Sequence, residues 1–240
     1  MIGILGAMES EVRGLVSVMA VEATGTGAGF EYWRGTLAGH PCVVARCGMG
    51  KVSAASGVQR LIDVFGVDTV VVCGLAGGLR AGLRRGDIVV GERFLQHDLD
   101  ASPIFPKYFV PGLDMVYFEA DPRLVDLAEH ASREVASLLA GEGGKTAVHR
   151  GLIITGDQFV DGDIRDRLVR EFPDALCVEM EGGAIAQVCY LNGVPFVIVR
   201  VISDDADQDA PGDFLAFVID QAPRYTVSIV QALLSMLAPL

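Results

Sequence analysis

The chain has 240 residues, 51% of them hydrophobic and 21% charged, with a net charge of −12 at pH 7. It has enough apolar material for a sizeable core, which excludes a disordered chain. The acidic balance and the lack of a Lys/Arg cluster exclude the electrostatic footprint of a nucleic-acid binder, so the expected partner is a small molecule.

In chain order, the opening MIGILGAMESE has no basic leader and too short an apolar run for a signal peptide. Residues 2–5 read as a short strand, and 8–19 have helical spacing. Residues 30–37 and 41–47 read as paired strands across an Ala38-Gly39 turn, followed by a helix over 50–65. Residues 68–73 (DTVVVC) and 87–90 are buried strands. Between them RAGLRR, at 80–85, reads as a solvated turn followed by Asp87. Residues 98–117 are broken by Pro103, Pro106, Pro111 and Gly112, with Phe and Tyr between them. They form a long surface loop, of a kind that is functional or covered by a partner.

The second half continues the alternation. Residues 122–140 are a helix, with a turn at Gly141-Glu142-Gly143-Gly144. Then come a strand (146–155), a helix (164–172), a strand (176–178), a helix (181–191), a strand (195–203) and a helical stretch (214–237) that Pro223 interrupts. The uncharged window 182–199 is as long as a membrane span, but Gln187, Asn192, Gly193 and Pro195 divide it into helix, turn and strand. Apolar strands alternating with helices mean a parallel or mixed sheet covered on both faces, in a single α/β domain over 1–240. The five cysteines (Cys42, Cys47, Cys73, Cys177, Cys189) sit in apolar runs with no C-x-x-C spacing, so a soluble, reduced, cytoplasmic chain without membrane contact is expected.

Two familiar motifs fail. Gly144-Lys145-Thr146 has the tail of a P-loop, but Leu139 stands at its first glycine. Gly48-Met49-Gly50 opens a helix, but Ser53 stands at the third glycine of a dinucleotide fingerprint. His97-Asp98 alone is too small a set for a metal, and His40, His130 and His149 read as surface or strand-end residues. No metal or organic cofactor is expected.

Four strand ends remain, and in open α/β sheets ligands sit at such ends. They are GAMESE (6–11), GLAGG (74–78), VEMEGGA (178–184) and RVISDD (200–205). Three carry carboxylates, and a carboxylate at the end of a buried strand is costly unless something pairs with it. Glu9, Glu11 and Glu181 also suit helix N-termini, and Ser203-Asp204 suits a helix cap. Convergence on one sheet edge favours acid and base work on a neutral or cationic substrate.

Together GAMESE, GKVSAA (50–55), GLAGGL (74–79), TGDQFV (155–160), VEMEGGAIA (178–186) and RVISDDAD (200–207) resemble the 5′-methylthioadenosine/S-adenosylhomocysteine nucleosidases of the purine nucleoside phosphorylase superfamily. The similarity runs in order from residue 2 to about residue 237. It implies a nucleoside phosphorylase-like fold, a central mixed sheet flanked by helices. It also implies hydrolysis of the bond between adenine and a 5′-thioribose, in a homodimer whose 98–117 loop helps close the neighbour's site through Phe105 or Tyr108.

The resemblance also implies roles, residue by residue. Glu11 matches the general base for water, and Asp204 the acid that protonates adenine N7, with Ser203 orienting it. Glu181 matches the carboxylate on the ribose hydroxyls, with Glu179 supporting. Arg200 stands beside the water and Met180 against the ribose. Phe159 matches the ring stacked on adenine, and Val160 the position whose backbone reads the purine edge. Ala76 and Gly77 lie along the base, and Met8 and Met49 line the sugar and thioether side. The chemistry needs these types: an oxocarbenium-like transition state takes an acid on the leaving group and a base on water at the opposite face.

Departures are also visible. Leu75 replaces a serine in the glycine loop, TGDQF replaces SGDAF, and the segment after Asp207 lacks an expected phenylalanine. Three other readings stay open. Phosphorolysis needs cationic donors that VVCG (71–74) does not offer, and Glu11 would repel phosphate. A nucleosidase for another 5′-substituted adenosine or a futalosine-type nucleoside is left open by Leu75. A non-catalytic nucleoside-binding module conflicts with the intact set of Glu11, Glu181 and Asp204.

Overall fold

The computed structural model describes residues 1–240 except 28, 141–145, 205, 207–211, 213, 215–216, 218–220 and 238–240. Among the described residues there are ten strands and six helices. They are β1 (Ile2–Gly6), α1 (Glu9–Ser17), β2 (Ala20–Gly27), β3 (Phe30–Leu37), β4 (His40–Arg46), α2 (Lys51–Phe65), β5 (Thr69–Gly78), β6 (Ile88–Gln96), β7 (Phe118–Glu119), α3 (Pro122–Ala140), β8 (Val148–Thr155), α4 (Gly162–Glu171), β9 (Ala175–Glu179), α5 (Gly182–Asn192), β10 (Phe196–Asp204) and α6 (Ala222–Met236).

All strands join one mixed sheet. β1 pairs in parallel with β4 and β5, and β5 in parallel with β10. β10 runs antiparallel to β6, β6 parallel to β8, and β8 parallel to β9. The last two residues of β5, Gly77 and Gly78, pair antiparallel with Val178 and Cys177 of β9. That short pairing closes β5, β10, β6, β8 and β9 into a ring, from which β1, β4, β3 and β2 extend as an open arm.

The strands near the ring are apolar on both faces. Every residue of β1, β9 and β10 is buried, the pattern of a sheet covered on two sides. α1 and α3 each pack on α6, whereas α2 packs on α5. Gly3 and Gly57 have no room for a side chain: a Cβ would come within 2.8 Å of Val67 and 2.6 Å of Cys47 respectively. No described helix is long and apolar enough to cross a membrane; the uncharged window at 182–199 is α5, a Gly193 cap in the left-handed region, and β10.

Three expectations change. β2 is a strand that the apolar pattern does not announce. β5 continues through the glycine loop to Gly78, and β6 continues to Gln96 past a bulge between Gly91 and Arg93. As expected, the helical stretch is interrupted at Pro223: the described residues 212, 214 and 217 are helical, Gln221 is a turn, and Pro223 sits in the first turn of α6, where its missing N–H costs nothing. His40 is a strand-end residue, as expected, but a buried one, and Asp87, just before β6, is a buried brace that accepts from Arg84 N and Ala147 N. The Gly141–Gly144 turn, Asp205 and Asp207 lie outside the described residues.

Candidate active site

The ends of β1, β5, β9 and β10 meet around one cleft of about 630 Å³, counting the part open to solvent. Its size is in the usual range for a small-molecule site. Of the residues expected at the site, Met8, Glu11, Met49, Ala76, Phe159, Val160, Glu179, Met180, Glu181 and Asp204 line it. Arg200, Ser203 and Gly77 do not; they stand behind its wall and hold the lining residues.

Glu11 is the third residue of α1 and is buried. Its Oε2 accepts from Ala7 N at 2.7 Å and Met8 N at 3.0 Å, the reach-back of a capping box. Its Oε1 accepts from Leu75 N at 3.2 Å, across the end of β5. The helix-terminus reading and the site reading of Glu11 are therefore the same arrangement. Glu9, two residues earlier, is exposed.

Glu179 and Glu181 have different tasks. Glu179 Oε2 accepts from Glu181 N at 3.0 Å and Gly182 N at 2.7 Å, so it caps α5. It also accepts from Arg200 Nη2 and the Thr155 hydroxyl. Glu181 turns toward the cleft. Its Oε1 accepts from Gly50 N at 2.9 Å, at the start of α2, and its Oε2 lies 3.3 Å from Arg200 Nη2. Burial pushes the Glu181 carboxyl up to about 7; Glu179 and Glu11 push the same way, against Arg200 and the Gly50 amide.

Arg200 is fully buried and central. Nη1 is 4.0 Å from Glu11 Oε1, and Nη2 serves Glu179 and Glu181. Burial works against its charge, but the three carboxylates outweigh that and raise it, so it stays a cation. Gly74 lies beneath this pair. A Cβ there would sit 2.3 Å from Arg200 Nη1 and 2.4 Å from Glu11 Oε1.

Asp204 ends β10 at a bulge, opposite Gly77. Oδ2 accepts from Ser203 Oγ at 2.7 Å, and Oδ1 from Ala206 N at 2.9 Å. Ser203 Oγ is also 3.3 Å from Ala76 O. A Cβ on Gly77 would come within 3.1 Å of Asp204 Oδ1, so the glycine keeps that carboxyl in place.

Phe214 lines the cleft and meets Phe159 edge-on, ring centroids 5.8 Å apart, so the segment after Asp207 still gives the cleft an aromatic side chain. Sequence reasoning missed Gln158, Val178 and Ala7 as lining residues. Val178 was readable as the strand residue before Glu179; Gln158 had no signal beyond its departure from the usual motif. Leu75 is buried and lines the cleft beside Glu11.

Cys47, near the cleft, is no nucleophile. Burial, with Glu181 and Glu11 nearby, pushes its thiol up to about 12. No three His, Cys, Asp or Glu side chains among the described residues are placed to hold a metal. Asp98 instead accepts from Lys51 Nζ at 2.6 Å and Asp157 N at 2.9 Å, which pins the root of the 98–117 loop to α2. In that loop Tyr108 is engaged by its own chain, through Glu171 and the edge of Phe172. Phe105 stacks on Phe109 and is partly exposed, and Ile104 beside it is 81% exposed.

Residues 1–238 match the sequence profile of the phosphorylase superfamily. A 5′-methylthioadenosine/S-adenosylhomocysteine nucleosidase from Shewanella sp. (strain MR-7) is 38% identical over 239 residues, covering 99% of this chain and 98% of that protein. Among solved structures, a nucleosidase of the same name from Neisseria meningitidis, in complex with methylthio-immucillin-A, superposes with a TM-score of 0.89 at 35% identity, covering 98% of this chain and 99% of that one. The native futalosine hydrolase of Helicobacter pylori strain 26695 superposes with a TM-score of 0.88 at 31% identity, covering 98% and 97%.

Proposed function

The chain belongs to the phosphorylase superfamily and, within it, to the 5′-methylthioadenosine/S-adenosylhomocysteine nucleosidases, which are N-glycosyl hydrolases; from that membership and its cleft we propose that it hydrolyses 5′-methylthioadenosine or S-adenosylhomocysteine to adenine and the 5-thioribose product. The observation that carries the reading is the pair of buried acids, Glu11 and Asp204, facing one cleft from different strand ends in different settings.

Asp204 is the general acid on adenine N7. Its neighbour suits both of its protonation states. A hydroxyl has one proton. When Asp204 is ionised, Ser203 donates to Oδ2; when Asp204 is protonated, Ser203 can donate to Ala76 O and accept from Asp204. Phe159 and Phe214 supply the apolar walls for a flat base, and the Val160 backbone reads its edge.

Glu11 is the general base. Its backbone donors hold the carboxylate still, and Arg200 stands behind it. Water activated there attacks the anomeric carbon from the face opposite adenine. Glu181 accepts from the ribose hydroxyls and stabilises the cationic sugar, a task that needs its ionised form. Met8, Met180 and Met49 give the sugar and the thioether a polarisable apolar wall.

Hydrolysis rather than phosphorolysis is supported by the lining. Among the described residues it contains no lysine or arginine, and Arg200 is committed to carboxylates. One alternative keeps support: the futalosine hydrolase likeness, with Leu75 as the altered wall, favours a second nucleoside substrate.

The test is product analysis with 5′-methylthioadenosine and, in parallel, futalosine, each with and without phosphate. Adenine and free methylthioribose, independent of phosphate, is the expected outcome. A sugar 1-phosphate formed only with phosphate would overturn it. Turnover of futalosine alone would move the chain to the alternative.

A further inference from the structure

The geometry points to Thr155 as a positioning residue: its hydroxyl fixes Glu179 as the anion that anchors Arg200, and so leaves Glu181 as the carboxylate of the cluster that gains and loses a proton. The kinetic part of its test rests on the hydrolase reading above; the geometry does not.

Thr155 ends β8, is fully buried, and does not line the cleft. Gly183 N, in the first turn of α5, donates to its Oγ1 at 2.6 Å. The hydroxyl proton is thereby directed to Glu179 Oε1. A chain of donors runs from the helix N-terminus through the hydroxyl to the carboxylate, each bond polarising the next.

Glu179 then receives four donors: Thr155 Oγ1, Glu181 N, Gly182 N and Arg200 Nη2. Three of them crowd onto Oε2, and the Thr155 hydroxyl is the donor to Oε1. The fit is close. A Cβ on Gly182 would lie 3.1 Å from Glu179 Oε1, and one on Gly183 would lie 3.0 Å from Thr155 Oγ1. The double glycine after Glu181 lets the helix start press on these two side chains.

Glu181 faces Arg200 from β10, Glu179 from β9, Glu11 from α1, the Gly50 N–H at the start of α2, and the neutral Cys47 thiol after β4. Three carboxylates share one guanidinium. With four donors turned to Glu179 and fewer to Glu181, the proton that balances the cluster belongs to Glu181. Removing the Thr155 hydroxyl takes one donor from Glu179. The fully ionised trio becomes harder to reach, and Glu181 releases its proton at higher pH.

The experiment compares wild type, Thr155→Val and Thr155→Ser. It reads kcat/KM for 5′-methylthioadenosine from pH 5 to 9, and Tm over the same range without substrate. The expected result is an acid limb moved up by about one pH unit in the valine variant, the effect of losing one hydrogen bond to a charged group. The serine variant should keep the wild-type limb. A valine limb that coincides with wild type, whatever the loss in plateau rate, would overturn the proposal. So would a serine variant shifted as far as valine. If valine does not fold, Thr155→Cys, a weaker donor, should shift the limb part of the way, and no shift overturns the idea. If wild type releases no adenine, the substrate reading fails while the Tm series still decides. The gap between wild type and valine variant should widen from pH 6 to 8, and a constant gap refutes the role of Thr155.

Discussion

At the scale of single residues, the site separates jobs that the sequence runs together. Glu11→Gln should lower turnover by about 10²–10⁴-fold while leaving an adenine-containing inhibitor bound, and Asp204→Asn should do the same for adenine substrates. Single-turnover rates and inhibitor titration check both; near-normal rates in either variant would remove that residue from its role. Glu181 adds a pH signature. Its folded-state value of about 7 lies above the ordinary carboxylate value, with burial the first cause. The folded state therefore holds this proton more tightly than the unfolded one. The stability it contributes is complete below the ordinary carboxylate range and is lost as pH rises through about 7. Wild type should lose roughly 1–3 kcal/mol relative to Glu181→Gln between pH 5 and 8, measured by denaturant unfolding. The same variant should lose about 10²-fold in kcat/KM, because an ionised acceptor is gone. The carboxylates were legible as residue types at strand ends. The split between Glu179 and Glu181 was legible only in part, because the donors that settle it come from Thr155, Gly50 and Arg200, which lie 24, 131 and 19 residues away from their acceptors.

At the scale of elements, the glycine-rich end of β5 does what its composition conceals. Glycine and alanine read as a turn, but pairing with β10 on one side and β9 on the other keeps 74–78 extended. Tertiary pairing overrides propensity there. β2 was unreadable for the opposite reason: it is almost wholly exposed, so it has no buried face to impose alternation. The helices and central strands were legible because each buries an apolar face or run. Gly74→Ala tests the β5 reading. Its Cβ would meet Arg200 and Glu11 at 2.3 and 2.4 Å, where two buried charged groups cannot both give way. We expect a loss of about 1–3 kcal/mol in stability and of more than about 10-fold in kcat, seen by thermal unfolding and steady-state rates. A variant with normal stability and activity would mean that the Arg200–Glu11 pair is mobile.

At the scale of the whole molecule, apolar side chains around the start of α2 and in the 98–117 loop stand exposed, and one of them, Met49, lines the cleft. Met49 is 61% exposed, Val52 80% and Ile104 81%. A second copy is the proposed cover, with Phe105 rather than Tyr108 as the aromatic offered across the interface, since Tyr108 is held by Glu171 and Phe172. Ile104→Glu should shift sedimentation toward monomer and lower kcat/KM by at least about 10-fold together, as loss of a buried apolar anchor would. Full activity in a monomer would separate the loop from the site. The strand ring has one more consequence, and it concerns time. Glu11 stands near the start of the chain, but the cleft it serves is walled by β9 and β10, and residues 73–78, the part of β5 beyond its pairing with β1, must wait for 175–179 and 196–204. Pairings of such long sequence separation form late. As the chain emerges in synthesis, the open arm of β1 to β4 can assemble early, whereas catalytic competence arrives all at once, after Asp204 has been made.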